Sequence, residues 1–147
     1  MFYQKQNNQA TILSGLQIDA PMIFVPWDMT VKDVDGYFIN HSLSRVTDNY
    51  YTIKDVKLFD TLICNIGFHF DDTLKRIEFF RDDYSDLQKS YDDFQVVFES
   101  KFGKPSKRSI SSTNFEDCEW DIANKIKIYH YIMDRFGLAE YLFIEWI

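Results

Sequence analysis

Apolar residues recur at Leu87, Tyr91, Phe94, Val97 and Phe98. This three- and four-residue spacing lays a stripe along one face of an α-helix. Just upstream, Ser85-Asp86-Leu87-Gln88 reads as a capping box: the Ser85 hydroxyl accepts from the Gln88 amide, and the Gln88 side chain reaches back. Gly103 and Pro105 stop the run, so a helix is expected over residues 85–102.

Elsewhere the period is two. Leu62, Cys64, Ile66, Phe68 and Phe70 alternate with other residues, which places them on one side of a strand over 60–70. A strand at 50–56 precedes it. Asp71-Asp72 then turns the chain into a return strand at 74–80. Three more strands are expected at 115–123, 125–133 and 138–146, joined by turns at Ala123-Asn124 and Arg135-Phe136-Gly137. Residues 104–114, rich in Ser and Lys, read as a polar loop.

The first ten residues are polar and expected to fray. Extended segments follow at Ile12-Leu13, 16–18 and 22–25, and Pro21 and Pro26 keep them at sheet edges. Thr30 is expected to cap a short helix in which Val31, Val34 and Phe38 share a face, ending near Asn40. The order helix-strand-strand-strand, given twice, predicts a single α+β domain over 1–147, with one antiparallel sheet and two helices packed on one face. A weak parallel between 58–80 and 122–146 suggests a tandem αβββ repeat.

Alternation also sorts the faces of the last two strands. Ile126, Ile128, His130 and Ile132 share one side, as do Leu138, Leu142, Ile144 and Trp146, and these sets should pack on the helices. Tyr129, Tyr131, Tyr141 and Phe143 are left on the other side with Lys127 and Glu145. Each such ring offers apolar area, and each tyrosine a hydroxyl, at small entropic cost, which suits partner binding. The competing reading has the rings pair across strands as sheet-stabilising neighbours or pack under the N-terminal segment. Glu140 and Glu145 are expected at the rim of this surface.

Composition narrows the function. The 147 residues include 14 Phe, 9 Tyr and 3 Trp, which argues for a packed core and against disorder. Sixteen basic residues against 23 acidic ones give a net charge of −7, disfavouring nucleic acid and favouring a basic protein partner. There is no apolar leader and no run of about 20 apolar residues, so a cytoplasmic protein without a membrane partner is expected. Cys64 and Cys118, the only cysteines, are expected to be reduced and cannot close a zinc site alone.

Catalytic and cofactor motifs are missing. His41, His69 and His130 are scattered, and no His-x-Glu or Cys-x-x-Cys spacing supports a metal. Asp71-Asp72, Asp82-Asp83 and Asp92-Asp93 lack the spacing of a calcium loop. No glycine-rich phosphate loop or nucleophile elbow is present. No cofactor and no catalytic residue are therefore expected. An alternative is a small-molecule or enzyme pocket between the sheet and the N-terminal segment, lined by Trp27, His69 and tyrosines.

The segment Phe98-Glu-Ser-Lys-Phe-Gly-Lys-Pro105, the tryptophan strand at Trp120 and the turn Phe68-His-Phe-Asp-Asp-Thr-Leu74 together resemble a group of small bacterial proteins. In that group a helix ends in aromatic-Gly-x-Pro, and a loop leads to a Trp-bearing strand and a final hairpin. It includes beta-lactamase-inhibitor-like αβββ repeats and immunity proteins encoded beside bacterial toxins. The resemblance covers about residues 55–147, rests on structural residues, and carries over no catalytic or binding residue. With no disulfide framework and no leader, it implies a cytosolic immunity protein rather than a secreted inhibitor.

Overall fold

In the computed structural model, which describes residues 9–147, the two-residue periodicity builds an eight-stranded antiparallel sheet. Residues 9–12 form a helical turn, α1, followed by a separate hairpin of β1 (Gly15–Ile18) and β2 (Ile23–Pro26). A one-turn helix, α2 (Val34–Tyr37), leads into the meander β3 (Leu43–Thr47), β4 (Tyr50–Leu58), β5 (Leu62–Asp71) and β6 (Thr73–Phe80). The long helix α3 (Leu87–Phe102) precedes a second meander of β7 (Lys107–Ile110), β8 (Glu116–Ile122), β9 (Ile126–Asp134) and β10 (Leu138–Trp146). The strand order is β3-β4-β5-β6-β10-β9-β8-β7, so the meanders meet through their last strands.

One side of this sheet is the core. Ile66, Phe68, Ile77, Ile126, Ile128 and Ile144 are completely buried there. The stripe of α3 lies over them, with Phe98 packed on Phe79 at 5.4 Å and Trp120 at 6.3 Å between ring centroids. The N-terminal hairpin extends the cover. Trp27 packs on Trp146 at 6.0 Å, and its Nε1 donates to the Ile12 carbonyl at 2.7 Å. Burying an aromatic ring contributes roughly 1.5–3 kcal/mol, which makes this aromatic seam a main source of cohesion.

Several expectations are corrected. The α3 N-cap is Asp86, whose carboxylate accepts from the Lys89 amide at 3.0 Å; the Ser85 amide instead donates to Asp83. Ile12 is helical rather than extended. Thr30 does not cap a helix: it bridges to Thr73, its hydroxyl bonds to Asp33, and Asp33 holds the α2 N-cap position. Because α2 spans four residues, the cover consists chiefly of α3 and the β1–β2 hairpin. The short strand β7 stands where a polar loop was expected, and β3 occupies a stretch to which no element was assigned. The expected fraying falls on residues 1–8, outside the described part, and on 9–10, which are helical. Cys64 and Cys118 are both buried and unbonded to one another.

Candidate functional site on the open face of the sheet

The other side of the sheet carries the aromatic set. In the β9–β10 register Tyr129 stands opposite Phe143, and Tyr131 opposite Tyr141. Their centroids are 5.1 and 5.2 Å apart, and Tyr131 also meets Phe143 edge-on at 6.3 Å. All four residues are half-buried. Each ring is thus braced by its cross-strand neighbour while retaining exposed area.

Charges frame the rings. The Arg76 guanidinium lies 4.3 Å over the Phe143 ring and 3.5 Å from the Glu145 carboxylate. Lys127 and Lys107 flank Glu119 at 3.5 and 3.9 Å. Asp117 carries one carboxylate oxygen that is shielded from solvent and lacks a hydrogen-bond partner among the described residues. Burial pushes its carboxyl above the usual range. Burial likewise raises the Tyr129 and Tyr131 phenols.

A second cluster continues this face on β4, β5 and β6. Tyr50 stacks on His69 at 4.2 Å, and its hydroxyl donates to Glu78. The His69 Nε2 sits 3.3 Å from the same carboxylate without hydrogen-bond alignment. Gly67 makes the cluster possible: a Cβ would come within 2.4 Å of Glu78 and 2.8 Å of Tyr50. Burial works to raise the Glu78 carboxyl. The nearby His69 imidazole, the Tyr50 hydrogen bond and the Arg76 charge outweigh it, and the net shift is downward.

The sequence reading placed two groups wrongly. Glu140 is not a rim acid. It shares its strand face with Leu142 and Ile144, and it is buried beneath α3. There Oε2 lies 2.5 Å from His130 Nε2, and Oε1 accepts from Ser90 Oγ at 2.6 Å. His130 Nδ1 donates to Gln95 Oε1 at 2.7 Å, and the Tyr91 ring stacks on the imidazole at 4.1 Å. Nor do Trp27 and His69 share a pocket. Trp27 packs on Trp146, on the core side, whereas His69 lies on the open side with Tyr50.

Tyr50, Arg76 and Glu78 were missed as members of the site. Alternation of Ile77 and Phe79, both core residues of β6, carried the signal and leaves Arg76 and Glu78 facing outwards; Leu74 is out of phase with them because of an irregularity in the β5–β6 pairing. Among the described residues no group of three metal-ligating side chains converges, and no helix is long and apolar enough to cross a membrane. The arrangement offers a broad aromatic bed edged with paired charges and hydroxyls, a set of groups suited to recognising a surface. Compared with protein-family models, with curated proteins and with solved structures, the chain has no significant match.

Proposed function

We propose that this chain is a non-enzymatic, cytoplasmic protein-binding module, an immunity or inhibitor protein that blocks its partner by steric occlusion. The observation that carries this reading is the cluster of Tyr129, Tyr131, Tyr141 and Phe143, half-exposed on the sheet face away from α3. Such rings are pre-positioned by cross-strand packing, so binding costs little side-chain entropy. The net charge of −7 favours a partner with a basic surface, while the paired acids of this face, Glu145 with Arg76 and Glu119 with Lys107 and Lys127, supply its polar rim.

The test is co-expression of the chain with the products of genes adjacent to its own, followed by affinity measurement on any complex. Replacing Tyr131 and Phe143 together by Ala should weaken binding by at least about 30-fold, the equivalent of a hot spot of roughly 2 kcal/mol. Circular dichroism should show the fold retained. Glu145→Gln should act mainly on the association rate and its salt dependence. A partner that binds the double variant as tightly as the wild type would refute this assignment of the surface.

A further inference from the structure

The buried polar groups on the two sides of the sheet are satisfied unequally. Beneath α3 the side chains of Ser90, Gln95, His130 and Glu140 are withdrawn from solvent and all hydrogen-bonded to one another. On the open face two solvent-shielded atoms, His69 Nε2 and Asp117 Oδ1, have no hydrogen-bond partner among the described residues. A shielded polar atom without a partner costs stability, and a folded chain keeps few of them. These two flank the aromatic rings, His69 on β5 and Asp117 on β8, with β6, β10 and β9 between them.

Asp117 is the sharper case. One step along β8 from the Cys118–His130 pair, it stands beside Tyr131 of β9, with Ser109 of β7 opposite it on its other flank. It is near enough for its charge to act on the Tyr131 phenol. Neighbouring acids of this face are already engaged: Glu145 with Arg76, Glu119 with Lys107 and Lys127, and Glu78 with the Tyr50 hydroxyl. Burial pushes the Asp117 carboxyl upward, and no cation of the described residues offsets it. The residue as a whole is only half-buried, so a cation from outside can reach the carboxylate.

The same face contains a finished example of such a contact. Between β6 and β10 the Arg76 guanidinium lies 4.3 Å over the Phe143 ring and 3.5 Å from the Glu145 carboxylate. Asp117 and Tyr131 repeat the pairing of carboxylate and ring one strand pair further along. Arginine suits this pairing better than lysine, because its guanidinium is planar, weakly hydrated and able to stack while it donates.

We infer that Asp117 and Tyr131 together receive an arginine side chain of the protein partner, its guanidinium lying on the ring and donating to the carboxylate. The inference rests on the binding role proposed above and names the contact that the partner makes there. A carboxylate already stripped of part of its water loses less on pairing than a fully solvated one, so this contact is favoured over the exposed acids elsewhere on the chain.

A nuclear magnetic resonance titration of the full chain with N-acetyl-arginine methylamide, at constant ionic strength, tests the inference. The matching citrulline derivative, similar in shape but uncharged, is the control. The arginine probe should shift the Tyr131 ring signals saturably, with a midpoint no higher than about 100 mM, the weakest expected of one charge-assisted hydrogen bond. Neither the citrulline probe on the wild type nor the arginine probe on Asp117→Asn should saturate over this range. Asp92→Asn, which removes an exposed charge on α3, should bind the arginine probe like the wild type. Asp117→Asn should also melt no lower than the wild type at neutral pH, because it removes an unpaired charge. A fall of more than about 3 °C in Tm would reveal a partner for this carboxylate within the chain and overturn the inference. No saturation by the arginine probe, saturation by the citrulline probe, or equal losses in Asp92→Asn and Asp117→Asn would overturn it too. The contact and the binding role fail separately. A complex weakened by replacing Tyr131 and Phe143 but indifferent to Asp117→Asn refutes the arginine contact and leaves the role standing. Capture of the probe that depends on Asp117, with no complex among the adjacent gene products, upholds the contact and counts against the role.

Discussion

Replacing Glu140 tests how the polar layer beneath α3 is held. Its side chain is fully withdrawn from solvent, as is that of His130. Glu140 accepts from Ser90 through one oxygen and shares a single proton with His130 Nε2 through the other. Gln95 takes the remaining imidazole proton and orients its own amide by donating to Glu99 at 3.0 Å. With the shared proton on either partner, every donor has an acceptor.

Glu140→Ala removes two acceptors at once and strands both the Ser90 hydroxyl and His130 Nε2 in a dry site. Breaking a buried pair of this kind costs about 3–5 kcal/mol, a large share of the 5–15 kcal/mol that typically stabilises a domain. Glu140→Gln differs. Its amide can donate to an unprotonated Nε2 while its carbonyl accepts from Ser90, so a neutral network stays complete. That substitution should cost less than about 1.5 kcal/mol. Urea denaturation at neutral pH ranks the two variants, and nitrogen-15 spectra of His130 should show a proton on Nδ1 alone in Glu140→Gln. If Glu140→Gln is as damaging as Glu140→Ala, the layer depends on charge rather than on complete hydrogen bonding, and the reasoning fails.

Two further outcomes follow from the geometry. Asp86→Ala should destabilise the protein by about 1 kcal/mol through loss of the α3 cap, whereas Ser85→Ala should be nearly silent; chemical denaturation distinguishes them, and the reverse ranking would move the helix start. Because the Glu78 carboxyl titrates lower in the folded chain than in the unfolded one, its stabilisation is complete above the ordinary carboxylate range and lost as pH falls through the lowered value. Glu78→Gln should therefore be less stable than the wild type near neutrality and show a shallower acid limb in stability measured against pH.

The legible parts of the fold are those whose cause is local. Ile126, Ile128 and Ile132 separate from Tyr129 and Tyr131 by alternation alone, and that suffices to lay the aromatic rings side by side. The α3 stripe is similarly self-contained. The strands β3 and β7 are not, because Leu-Ser-Arg-Val-Thr and Lys-Arg-Ser-Ile are almost wholly exposed and lack alternation. They form because β4 and β8 would otherwise present unpaired edges, a cause that lies outside their own residues.

The α3 cap was displaced by one position because Ser85 and Asp86 are both good capping residues. The choice between them falls to Asp83, which takes up the Ser85 amide. Glu140 was open to a correct placement, since Leu142 and Ile144 already define its side. Its charge argued for solvent, and only the convergence of Ser90, Gln95 and His130 from two other elements makes burial tolerable.

The place of β10 has a consequence for how the chain is made. It comes after every other strand in sequence, yet it lies in the middle of the sheet, with Phe143 beside Glu78 of β6 on one flank and Tyr129 of β9 on the other. During synthesis the first meander emerges with β6 as a bare edge, its Ile77 side still uncovered by the later strands. That edge persists until β10 itself has emerged, so vectorial folding of the first meander gives little protection here. Closure is a late, long-range event of the kind that slows folding. The nascent first half should therefore be the species that needs a chaperone.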